Sequence, residues 1–124
     1  MIKLFYGENR VGAQEEIKRF LWDDYEVIEG EDLTKNDLPS LMMGNSLFGE
    51  ERAILVRDVL SNKGLGDDLL KYLASPHKVV IWESKLDKRS SVYKALKDKV
   101  EVKEFAMPRD PNQGMVFDIY RVAK

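Results

Sequence analysis

The chain has 124 residues, 44% of them apolar, with five Phe, five Tyr and two Trp, enough for one domain with its own core and too apolar for a disordered chain. Twenty basic residues against twenty-two acidic ones leave a formal charge of -2, which argues against a domain that grips DNA through its phosphates and against direct sequence-specific DNA binding. There is no Cys, hence no disulfide framework and no thiolate metal site; no apolar run approaches the roughly 18 residues of a membrane span, nothing at the start reads as a signal peptide, and the expected setting is the cytoplasm.

In chain order, Ile2 to Tyr6 reads as a buried strand ending at Gly7. Ala13, Ile17, Phe20 and Leu21 recur at helical spacing and predict a helix with one apolar face. Tyr25 to Ile28 is a second short strand, closed by the acidic turn Glu29 to Asp32. Thr34 or Asn36 can cap a short helix with Pro39 in its first turn and Gly44 at its end. "RAILVRDV", Arg52 to Val59, is a third strand with a continuous apolar centre. Leu65, Leu69, Leu70 and Leu73 mark a helix, and Val79 to Trp82 a fourth strand. Ser90 or Ser91 caps a helix through Val92, Tyr93 and Leu96, and Val100 to Phe105 alternates as a fifth strand. Trp22 and Trp82 are expected to pack on the sheet. Strands separated by helices imply a three-layer α/β fold with a mostly parallel five-stranded sheet. Residues 1–107 form that domain. In 108–124, Pro108, Pro111 and Gly114 read as a linker, followed by a helical stripe that begins another unit.

From Gly7 to Gly12 the chain has the GxxxxG spacing of a phosphate-binding loop, but Ala13 and Gln14 stand where Lys and Ser/Thr should follow. That Lys reaches the terminal phosphates and the hydroxyl holds Mg²⁺, so two charge-stabilising parts are missing together. Arg10 lies inside the loop and cannot replace a Lys that opens the helix. Asp58 follows the third strand only after Arg57, and Glu83 follows a different strand, so neither stands as an obvious metal-holding acid. GxxxxG by itself is a weak pattern, and a structural strand-to-helix turn explains it.

Leu47 and Phe48 sit on a short connection bounded by Gly44 and Gly49. Such a pair either tucks into the core or projects as an interface anchor, and composition alone favours the core. His77 is the single His, without a nucleophile or metal-ligand spacing beside it. Lys85, Lys88, Arg89 and Lys94 read as a solvated basic loop around a helix start, with Asp87 paired locally. Arg52 is expected to orient the preceding loop by bonding backbone carbonyls.

Three stretches carry a resemblance: "LFYGE" from Leu4, "SLFGEERAILVRDV" from Ser46 and "HKVVIWESKLDKRSSVYKALKDKVEVKEF" from His77. In that order, over nearly all of residues 1–106, they resemble the N-terminal domain of the delta subunit of the bacterial DNA polymerase III clamp loader. The resemblance implies an AAA+-like (P-loop NTPase) fold with a degenerate nucleotide site at Gly7, Gly12, Ala13 and Gln14, no catalytic residue, no cofactor and no metal. It implies that the β sliding clamp is the partner, bound and opened by a wedge of Leu47 and Phe48 with Ser46 beside it. Leu41, Met42 and Met43 would present that wedge. Other loader subunits would be met through further domains of the family's subunit, beyond residue 124. Two other classes compete: a small P-loop NTPase with an atypical phosphate loop, and a receiver-like domain. The receiver needs an acidic cluster after its first strand, where this chain has only Glu8.

Overall fold

The structure, a computed structural model, describes residues 1–22, 24–44, 51–62 and 64–107. Five strands, β1 (Ile2–Gly7), β2 (Glu26–Glu29), β3 (Ala53–Arg57), β4 (Lys78–Glu83) and β5 (Glu101–Phe105), alternate with α1 (Arg10–Leu21), α2 (Leu38–Met43), α3 (Leu65–Leu69) and α4 (Ser91–Leu96). The sheet order is β2-β3-β4-β1-β5, and every pairing among the described residues is parallel. The mostly parallel sheet expected from the sequence is thus a fully parallel one. The connection after β1 leads toward β2 and the one after its neighbour β4 leads the opposite way to β5, which places the β1–α1 turn at a topological switch point, where open α/β sheets gather their sites.

Neighbouring strand residues divide between the two faces with period two. Leu4, Ile54, Val56, Val79 and Ile81 join Leu38, Met42, Leu65, Leu69 and Leu96 in one core, beneath α2, α3 and α4. Phe5, Leu55, Val80, Trp82 and Phe105 join Ala13, Ile17 and Leu21 in the other, beneath α1. The three layers follow directly from that alternation.

The helix signals resolve into specific caps. Ser90 is the cap of α4, its hydroxyl accepting from the Tyr93 N–H at 3.1 Å. Thr34 closes a capping box around the single 3-10 turn Lys35–Asp37, with its own N–H donating to the Asp37 carboxylate at 2.8 Å, and α2 begins only at Leu38. Gly44 ends α2 in an extended conformation, its N–H donating to the Ser40 carbonyl. The helix expected through Leu73 is α only to Leu69 and continues as a 3-10 turn over Leu70–Tyr72. Trp82 is buried, but Trp22 is 71% exposed. Its φ of 72° turns the chain away from the sheet at the end of α1, and the Lys78 ammonium lies 5.5 Å from its ring centre. The expected linker and following helix of 108–124 lie outside the described residues.

Candidate functional site

The turn between β1 and α1 is held by groups that a phosphate would otherwise use. Asn9 donates its N–H to the Phe105 carbonyl at 2.9 Å, and Arg10 donates to the Glu8 carbonyl at 3.0 Å. The Asn9 side chain accepts from the Gly12 N–H at 3.0 Å, and its carbonyl accepts from Ala13 at 3.1 Å. Asn9 is therefore an N-cap, and α1 starts at Arg10, inside the stretch that would form the cradle. Both glycines have structural reasons. Gly7 has φ +132°, and a Cβ there would strike the Phe105 carbonyl; a Cβ on Gly12 would lie 2.7 Å from the capping amide of Asn9.

The two positions after Gly12 are equally occupied with structural contacts. Ala13 is fully buried beside Phe5, Ile17 and Leu55. The Gln14 amide donates to the Tyr25 hydroxyl at 2.7 Å. Of the two acids considered for a metal, Asp58 accepts from the Ser84 N–H at 3.0 Å and from its hydroxyl at 3.1 Å. Glu83 is 1% exposed, and its carboxylate accepts from the Leu60 N–H at 3.1 Å. Burial, reinforced by the Asp58 charge and opposed by the backbone bonds, pushes its pKa up to about 7. No group of three or more His, Cys, Asp or Glu among the described residues could hold a metal ion.

Around the stretch that carries Leu47 and Phe48, the structure describes both flanks. Ser46, Leu47 and Phe48 themselves lie outside the described residues. Of the three α2 residues expected to present them, Leu41 and Met42 are buried, and Met43 is 44% exposed. The apolar face of this short helix, Leu38, Leu41 and Met42, packs into the core, and Met43 lies on its solvent side with Pro39 and Ser40. Arg52 spends its guanidinium on Glu26, with Nε 2.9 Å from one carboxylate oxygen and a terminal nitrogen 2.8 Å from the other. One long bond, 3.5 Å, reaches the Leu41 carbonyl. The expected bonding of Arg52 to backbone is present, but secondary to a bidentate ion pair that lowers the Glu26 pKa, first through the hydrogen bonds and also through the guanidinium charge.

No protein-family model matches the chain, and no curated protein matches it either. Among solved structures, the chain is similar to the Bacillus subtilis DNA clamp loader delta protein (YqeN), with a TM-score of 0.66 and 20% sequence identity. The likeness covers 93% of this chain. The fold is that of a clamp-loader delta protein. The chain spans 41% of that protein's length, so the likeness concerns one part of it.

Within this clamp-loader delta fold, the residue that sequence reasoning missed is His77. It is 2% exposed, just before β4. Its Nδ1 accepts from the Arg52 N–H at 2.9 Å, and its Nε2 lies at hydrogen-bond distance from the Gly44 carbonyl. The neighbouring Ser75 hydroxyl donates to the Met42 carbonyl. These partners lie 25 and 33 residues away in sequence, and no local spacing signals them. In the basic loop, Arg89 pairs with Asp87 at 3.5 Å and Lys88 lies 5.1 Å from the Tyr6 ring centre. Asp87 is paired locally, as its sequence neighbours suggest.

Proposed function

We propose that this chain is the N-terminal, AAA+-like domain of a clamp-loader delta subunit, acting in DNA replication in the cytoplasm. It binds the ring-shaped β sliding clamp and favours its open form, with Leu47 and Phe48 as an apolar wedge and Ser46 and Met43 at its side. Binding alone suffices to open the ring, because a protein with higher affinity for the open form than for the closed one shifts the equilibrium by the difference. No ATP hydrolysis is required, and the Gly7–Gln14 stretch is a degenerate phosphate loop. The observation that carries the reading is the clamp-loader delta fold over 93% of the chain. The order of the "LFYGE", "SLFGEERAILVRDV" and "KLDKRSSVYKAL" stretches agrees with it. The β1–α1 turn, whose Asn9, Arg10, Gly12 and Ala13 amides are already bonded within the chain, favours this reading over a small NTPase.

Calorimetric titration into a β clamp tests it. The wild-type chain is expected to bind, and Phe48→Ala to weaken binding by ~2 kcal/mol or more, as a buried apolar anchor does. Leu47→Ala/Phe48→Ala should abolish detectable binding while leaving the circular dichroism spectrum unchanged. Absence of binding by the folded wild-type chain, or unfolding of the Phe48 variant, would overturn the wedge.

A further inference from the structure

We propose that His77 is a positioning residue, a clasp that fixes the distance between the two ends of the 45–51 connection. Resting on the clamp-binding reading above, it sets how well that connection engages its partner. One imidazole joins Gly44, the last residue of the N-terminal flank, to Arg52 on the C-terminal flank. The chemistry fixes the tautomer: a lone pair on Nδ1 receives the Arg52 N–H, so Nε2 carries the proton and donates to the Gly44 carbonyl. The ring also sits on a rigid base. Lys78, the next residue, donates its N–H to the Arg52 carbonyl at 2.9 Å, and the His77 N–H donates to the Ser75 hydroxyl at 3.2 Å.

Around this ring the C-terminal carbonyls of α2 find their partners. A helix end leaves its last carbonyls without intrahelical donors. Here Arg52, Ser75 and His77 serve Leu41, Met42 and Gly44 respectively. His77 is the member of this set whose ring bonds the backbone of both flanks, the Gly44 carbonyl and the Arg52 N–H, and so couples the end of α2 to the residue that precedes β3. A flank held in place need not be ordered when a partner binds, which lowers the entropic cost of association.

Two isosteric substitutions separate the two bonds. In His77→Asn the amide oxygen can occupy the place of Nδ1 and keep the Arg52 bond, losing the link to Gly44. In His77→Gln the amide nitrogen can occupy the place of Nε2 and keep the Gly44 bond, losing the acceptor for Arg52. Amide exchange of Arg52, followed by NMR on the full 124-residue chain, is the first readout. His77→Gln should accelerate it by about tenfold relative to exchange in the β1 and β4 amides, and His77→Asn should leave it nearly unchanged. A side chain that only fills space would speed exchange evenly through the sheet, or not at all, and either result overturns the clasp. The second readout is clamp affinity: each variant should bind about three- to tenfold more weakly while remaining folded, a net hydrogen bond's worth. Wild-type affinity in a variant whose Arg52 amide has been released would overturn the positioning role. Failure of the wild-type chain to bind a clamp would remove the partner, and with it the effect on affinity, while the exchange result would still decide the clasp.

Discussion

Glu83 shows how a single buried carboxyl ties stability to pH. Its pKa rises from 4.5 to about 7 because the charged form loses its water and faces Asp58. Between those two values the folded chain keeps a proton that the unfolded chain releases. Stability from this group is thus present below pH 4.5 and is lost as pH rises through about 7, a loss on the order of 2–3 kcal/mol. Gln keeps an oxygen to accept the Leu60 N–H and carries no charge. Urea unfolding should find Glu83→Gln more stable than wild type by ~1–3 kcal/mol at pH 8 and similar to it at pH 5. Equal pH slopes in the two proteins would mean that Glu83 is ionised without penalty. The neighbouring case of Asn9 is simpler. Its side chain satisfies the Gly12 amide at the start of α1, so Asn9→Ala should cost about 1 kcal/mol in the same experiment. Neither role is visible in spacing alone. Asn9 could be proposed as a cap from its place before a helix, but the depth of Glu83 depends on a turn at Val59 and Leu60, more than twenty residues away.

Among the elements, α1 and the turn before it show why a phosphate loop cannot be recovered by restoring its missing letters. The helix begins at Arg10, so the side chain at position 13 already lies on its buried stripe with Ile17 and Leu21. Ala13→Lys/Gln14→Thr would complete the GxxxxGKT pattern and at the same time place an ammonium among Phe5, Ile17 and Leu55. Burying an unpaired charge costs several kcal/mol unless it neutralises. The double variant should lose ~3 kcal/mol or more in denaturant unfolding, and its melting temperature, like that of wild type, should not rise with ATP and Mg²⁺. A dose-dependent rise in either protein would reinstate a nucleotide site. The same helix marks the reach of sequence reading. Its apolar stripe follows from periodicity, and the five strands from short apolar runs or alternation; its start does not, because the glycine spacing puts Arg10 in the loop and the Asn9 cap brings it into the helix. The exposure of Trp22 does not, because it depends on one positive φ after Leu21. Nor does the burial of Leu41 and Met42: a six-residue helix is too short for periodicity to assign a face, and their place in the core that also holds Ile54, Val56, Val79 and Ile81 decides it.

For the whole molecule, topology and charge together limit how a partner can be held. All five strands run parallel, so their C-terminal ends, with the β1–α1 turn, Asp58 and Glu83, gather at one edge of the sheet. The connection from α2 to β3 enters the sheet from the other edge, where Gly44, Arg52 and His77 meet. These flanking residues are thus at the opposite edge from the switch point, so the proposed binding at 46–48 and any phosphate chemistry at the β1–α1 turn can be tested independently. The balance of 20 basic and 22 acidic residues offers no broad field for steering. The basic side chains of the 85–94 loop are partly spent within the chain, Arg89 on Asp87 and Lys88 over Tyr6. The proposed clamp association through Leu47 and Phe48 should therefore depend on apolar burial, with little response to salt. Raising NaCl from ~0.1 to ~1 M shortens the screening length from about 10 to about 3 Å. The clamp Kd should move by less than about threefold over that range, whereas a contact with several phosphates would lose orders of magnitude. Lys85→Gln/Lys88→Gln/Arg89→Gln/Lys94→Gln should leave the clamp Kd equally unmoved. A steep salt dependence that vanishes in this fourfold variant would transfer the binding from the apolar pair to the basic loop.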